Sequence, residues 1–243
     1  MQAFAALSML GITIVTLVVG VRLVLAWRRT GGLPELLFGI AFVGSGIGMA
    51  GIQLGQRVIW GGTPWAEPLN TSLYAFQIAS TVALYVVNWR LWRPGSGWAK
   101  ALCATGCALA LLVYAVRIAD GDFATNDAHT RGVALFQVVR FVVMAWASFE
   151  AIAHYTQLRR RLRLGLADPV ATNQILLWGV AGTATASTTL IISVCLFGLG
   201  AHPLEVPLAL VALTLLSFGL TAEHRAPASA KWKAHPTAVS PGA

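Results

Sequence analysis

The sequence predicts an all-α protein, a polytopic bundle of seven transmembrane helices with its N-terminus outside and its C-terminus in the cytoplasm. Three observations carry this. The mean hydropathy is +0.71 and only 11% of residues are charged, where a soluble domain carries about a quarter. Apolar runs recur at the length of ~20 residues that a helix needs to cross a hydrocarbon core of ~30 Å. The basic residues gather in alternate loops, as the positive-inside rule requires.

The expected spans are 4–27, 34–56, 69–90, 98–118, 133–157, 170–198 and 203–221. The first lacks a basic leader and a small-residue cleavage site and runs on to Trp27-Arg28-Arg29, so a retained helix is expected. The second opens at Pro34, where a missing N–H costs nothing, and carries Gly44–Gly48 and Gly51–Gly55. Such small-xxx-small pairs let helices approach closely, inside the bundle or at a dimer face. The third holds Gln77, Ser80, Thr81 and Asn88, and the fourth Cys103 and Cys107. The fifth has a long apolar body interrupted by Arg140, Glu150 and His154, then a basic stop of Arg159, Arg160, Arg161 and Arg163. The sixth begins with Asn173 and Gln174 near the cytoplasmic face and continues through a run of threonines and serines. Residues 1–221 form the membrane domain. The remainder, 222–243, is a basic, Pro- and Ala-rich cytoplasmic tail expected to be disordered.

Sidedness follows from charge. With the N-terminus outside, the inner loops and tail hold Arg28, Arg29, Arg90, Arg93, Lys100, the four arginines of 159–163, Arg225, Lys231 and Lys233. The outer segments hold only Arg57, Arg117 and Arg131. Trp27, Trp89, Trp92 and Trp98 fall at inner ends and Trp60 and Trp65 in an outer loop, the interfacial positions that indole favours. Trp146 and Trp178 lie inside spans, packed or facing a ligand. The net charge of +8 sits in short loops between apolar segments. Anionic lipid headgroups are therefore the expected partner, and nucleic acid is not. The expected location is the bacterial inner (plasma) membrane. Cys103, Cys107 and Cys195 lie in apolar runs and are expected as buried thiols without a disulfide framework.

A weak internal repeat relates residues 135 apart, matching Pro34 with Pro169 and Gly44 with Gly179. It predicts a parallel 3+1+3 arrangement with the fourth span as connector, the kind of repeat found in several transporter folds. On helix count, orientation and this repeat, the chain resembles the broad seven-helix class of PQ-loop transporters, microbial opsins and G-protein-coupled receptors. It also resembles seven-helix proteins of bacterial membranes, a likeness that brings no chemistry with it. The class motifs depart here. Pro34-Glu35 and Pro169-Val170 stand where a PQ-loop protein has Pro-Gln. Residues 203–221 hold no lysine for a retinal Schiff base. Asn88-Trp89-Arg90 matches the receptor Asp-Arg-Tyr pattern only loosely.

Ionisable groups at membrane depth are costly and face protein or water. Gln137, Arg140, Glu150 and His154 fall on an arc of about 140° at 3.6 residues per turn. With Gln77 and Asn88 they form the expected intramembrane polar site. Asn173, Gln174 and the arginines 159–163 form the expected cytoplasmic face. Glu150 and His154, spaced i,i+4, are read either as a proton-coupling pair or as structural partners of each other or of another helix. Gln53, Gln56, Arg57, Arg117, His129, His202 and Glu205 would line an outer vestibule, or simply be solvated. No HExxH, metal-spaced carboxylates, nucleophile elbow or phosphate loop occurs in the sequence. An enzyme, a metal site and a cofactor are accordingly not expected. Two functions stand: transport of a small solute or ion through the polar site, and a receptor-like sensor signalling to a cytoplasmic protein partner. A homo-oligomer is compatible with both.

Overall fold

The computed structural model describes residues 2–55, 59–124 and 130–193. The expected seventh span, the tail, and Gln56, Arg57, His129, Cys195, His202 and Glu205 lie outside the described residues. Within them the fold is all-helical, with no strand: α1 (Gln2–Thr30), α2 (Leu33–Leu54), α3 (Ala66–Trp92), α4 (Gly97–Ala119), α5 (Arg131–Arg163) and α6 (Pro169–Ser193). α4 and α5 are long and apolar enough to cross a membrane. Only 28% and 33% of their apolar windows are buried. α1 turns outward a stripe of Leu10, Ile14, Val18, Val21 and Leu25, one side chain per helical turn.

Local sequence explains the helix ends. Gly31 follows α1 with φ 68° and Gly165 follows α5 with φ 71°, the left-handed cap that glycine adopts without a Cβ penalty. Asp168 accepts a hydrogen bond from Val170 N at 2.9 Å. Pro169 takes the first helical position of α6, where no N–H is needed. Thr130 caps α5 by accepting from Val133 N. α5 does not stop at the arginine run. Its 33 residues span about 50 Å at 1.5 Å per residue, because solvated arginines are good helix formers.

Each helix packs on its neighbour in sequence, and α3 sits centrally against α2, α4 and α5. The glycines make this possible. Gly20 lies against Val43, Gly39 against Val24 and Gly46 against Leu17, so α1 and α2 run antiparallel. Gly44 meets the Phe76 carbonyl and Ser80, Gly48 meets Gln77 and the Leu73 carbonyl, and Gly51 meets Leu73, seating α2 antiparallel on α3. Ser80 Oγ donates to Ala41 O across the same seam at 2.6 Å. The glycine pair Gly44–Gly48 is thus spent inside the chain. Tyr114 Oη donates to Thr71 O, tying α4 to α3. Gly179 against Ile152 and Gly182 against Ser148 make α5 and α6 antiparallel. The matched glycines of the sequence repeat meet different surroundings: Gly44 faces the following helix and Gly179 the preceding one.

α3 and α5 run parallel, held by three contacts in the same order along both. Tyr85 Oη donates to Val139 O at 2.9 Å, Asn88 Nδ2 to Val143 O at 3.1 Å, and Arg93 Nε reaches Glu150. The core between them holds Tyr85, Val139, Val143 and Trp146. Cys103 is buried and Cys107 half-buried, both as free thiols.

Candidate functional site: a cavity between α2, α3, α5 and α6

A cavity of about 460 Å³ lies where α2, α3, α5 and α6 diverge, with Thr16 of α1 at its edge. This is within the usual volume of small-molecule sites. On α5 its wall is Phe136, Gln137, Arg140, Met144, Ala147, Ala151 and His154. These follow an i+3/i+4 stripe covering about 100° of the helix at 3.6 residues per turn. From Phe136 to His154 the stripe rises about 27 Å, close to a hydrocarbon thickness.

The opposite wall is aromatic. The Trp178 ring of α6 meets Phe38 at 4.8 Å and Phe42 at 5.7 Å, both from α2. Of the two Trp residues inside spans, Trp178 therefore faces the cavity. Trp146 is core, packed on Tyr85 and Trp98. The polar lining comes from α3, with Gln77, Ser80, Thr81 and Asn88, from α5, with Gln137, Arg140 and His154, and from α6, with Thr185 and Thr189. Thr185 and Thr189 donate to the carbonyls one turn back, Ala181 O and Thr185 O, which leaves the lining milder than its residue types suggest.

Five of the six residues expected for the intramembrane site line this cavity: Gln77, Asn88, Gln137, Arg140 and His154. Glu150 does not. It sits about 40° beyond the α5 stripe at 100° per residue and is 4% exposed. Both of its carboxylate oxygens accept from Arg93 Nε, at 2.9 and 3.1 Å. No hydrogen bond or ion pair joins it to His154, which instead lies edge-on to Trp92 at 5.3 Å. The i,i+4 spacing put the two on neighbouring faces, but Arg93, the cap residue of α3, takes the carboxylate. Arg93 stood in the sequence only as an inner-loop cation. Its pairing links positions 57 apart and leaves no local signal.

Asn173 and Gln174 are exposed on the early turns of α6, and Arg159, Arg160, Arg161 and Arg163 are exposed on the last turns of α5. None of them lines the cavity. At the other end of the bundle, Arg117 is 1% exposed. Its guanidinium stacks between Tyr74 at 4.4 Å and Phe123 at 4.6 Å, with Asp122 Oδ2 at 3.7 Å from Nε. It therefore serves packing rather than an open vestibule. Asn70, accepting from Trp60 Nε1 and donating to Phe123 O, ties the same end together.

Among the described residues no group of three or more His, Cys, Asp or Glu side chains is placed to hold a metal ion. The chain matches no protein-family model, no curated protein and no solved structure, so the chemistry of the site has to come from its own residues.

Proposed function

We propose that the chain is a multi-pass inner-membrane protein, seven helices with the N-terminus outside, that transports a small solute through the cavity between α2, α3, α5 and α6. The observation that carries the reading is the length of the cavity wall on α5, about 27 Å of lining from Phe136 to His154, polar at Gln137, Arg140 and His154. A site that served only to hold a ligand from one side has no need of a lining that nearly matches the bilayer. The outward apolar surfaces of α1, α4 and α5 support the membrane setting, since a core helix of a soluble protein would be mostly covered. The up-and-down alternation of the helices supports loops on alternate sides, with the arginine-rich end of α5 in the cytoplasm against anionic headgroups.

A receptor-like sensor is the second reading, and one observation favours it. α5 continues nine residues past His154 as unbroken helix to Arg163, a rigid lever from the cavity to a basic surface that a cytoplasmic protein would read.

Side-specific labelling separates the two. With all three native cysteines replaced by serine, Ala147→Cys and Ala181→Cys each place one thiol in the lining. Transport predicts that a membrane-impermeant maleimide reaches both thiols from either side, in right-side-out and inverted vesicles. Labelling from one side alone would replace transport with the sensor.

A further inference from the structure

The ionisable side chains of the cavity wall share one sign. Arg140 and His154 line it from α5, and no aspartate or glutamate lines it among the described residues. The acid on the same stretch of α5, Glu150, is off the stripe and held by Arg93. His154 is exposed and Arg140 half-buried, about 21 Å apart along the helix. Between them the α5 wall is Met144, Ala147 and Ala151. Arginine keeps its charge at any working pH and carries five N–H donors in a planar fork. A carboxylate takes two of them in parallel.

We propose that the cavity takes an amphipathic organic carboxylate, its two oxygens on the Arg140 guanidinium and its apolar body beside Met144 and Ala147. This deepens the transport reading and rests on it. The charge of the lining selects the class. A cation meets a like charge at Arg140. A neutral solute forgoes charge-assisted hydrogen bonds, which are roughly twice as strong as neutral ones and gain further where water is scarce. A small inorganic anion surrenders its hydration to a wall that is largely apolar, whereas an apolar body gains from the same wall. His154 is either neutral or positive, so it never opposes an anion, and it lies too far along α5 to share a small carboxylate with Arg140. A cavity of about 460 Å³ suits a solute of drug-like size, which favours a free carboxylate over the phosphate of an anionic lipid.

The test uses the full chain in phosphatidylcholine nanodiscs with Cys103, Cys107 and Cys195 replaced by serine and Ala147→Cys as reporter. Ala147 lies two turns from Arg140, about 10 Å along α5, so the thiol senses the body of the solute. The rate of maleimide alkylation is measured with octanoate, octanamide, octylammonium or acetate present, compared at equal free concentration. Octanamide has nearly the shape of octanoate and no charge. Octanoate is expected to protect the thiol at about tenfold lower concentration than octanamide, the margin of charge-assisted over neutral hydrogen bonding. Octylammonium and acetate should protect less than either. Arg140→Gln should erase the preference for octanoate, and Arg140→Lys, which keeps the charge without the fork, should reduce it.

Equal protection by octanoate and octanamide overturns the proposal, as does a preference for octylammonium, protection by no probe, or a preference for octanoate that survives Arg140→Gln. Protection gained only when phosphatidylglycerol is added to the nanodisc overturns it in favour of a lipid headgroup. These outcomes leave the cavity as a reachable path. A thiol that no maleimide reaches would instead defeat the transport reading itself. The comparison of octanoate with octanamide on the reporter protein can overturn the proposal even if the Arg140 variants fail to fold.

Discussion

At the level of single residues, one end of the bundle depends on an unequal ion pair. Glu150 is 4% exposed, while the Arg93 side chain is 46% exposed. Losing either partner therefore has different consequences. Arg93→Ala strands a buried carboxylate and is expected to cost about 2–3 kcal/mol, the low end for a broken buried pair because water reaches one side. Glu150→Gln leaves an arginine that water can solvate and should cost about 1 kcal/mol or less. Thermal unfolding of the two variants in one detergent checks the order. Equal losses would mean that the carboxylate is not buried as described. At the opposite end, Arg117→Lys keeps the charge but loses a planar group stacked between two rings. A loss of about 1–2 kcal/mol in the same assay is expected.

Residue types pointed to the cavity more surely than residue pairings did. Gln77, Asn88, Gln137, Arg140 and His154 stood out because polar groups in apolar runs must face something other than lipid. Glu150 stood out for the same reason, and its partner remained hidden. His154 lay four residues away and offered itself, whereas Arg93 is brought up only by the parallel packing of α3 on α5. Only the packed structure separates the two halves of the Asn88 amide, one pinned to Val143 and one buried without a donor among the described residues.

Among the helices, the decisive seam is α2 on α3. A methyl at Gly44 would lie 2.6 Å from the Phe76 carbonyl oxygen, a backbone atom that cannot swing aside. Gly44→Ala should therefore push α2 off α3 and cost about 1–3 kcal/mol, as overpacking does. Gly97 opens α4 with nothing within 4 Å of the corresponding position. Gly97→Ala should be neutral or stabilising by up to about 1 kcal/mol. Unfolding midpoints of the pair test whether glycine serves contact or merely composition. Helix limits were legible because turn residues and charge bracket the apolar runs; α3 was expected over 69–90 and observed as Ala66–Trp92. The end of α5 was less so. Arg159–Arg163 ends the apolar run and not the helix, since hydropathy and helical geometry obey different physics.

For the molecule as a whole, alternating helix direction, a central α3 and a cavity flanked by α2, α3, α5 and α6 fit a bundle that turns its apolar sides to lipid and its polar groups inward. The proposed sidedness rests on the charge asymmetry between the two ends. The apolar patterning could announce a bundle, but the place where its helices diverge depends on side chains such as Trp178 and Phe42 meeting across it. The account as a whole requires that α5 cross the bilayer with its cavity stripe inside it. Its most direct test places single cysteines at the exposed positions Ala124 and Leu166, in the cysteine-free background, and labels intact cells and inverted vesicles with an impermeant thiol reagent. The account predicts that Ala124→Cys reacts only from the outside and Leu166→Cys only from the cytoplasmic side. Reaction of both from the same side would contradict it.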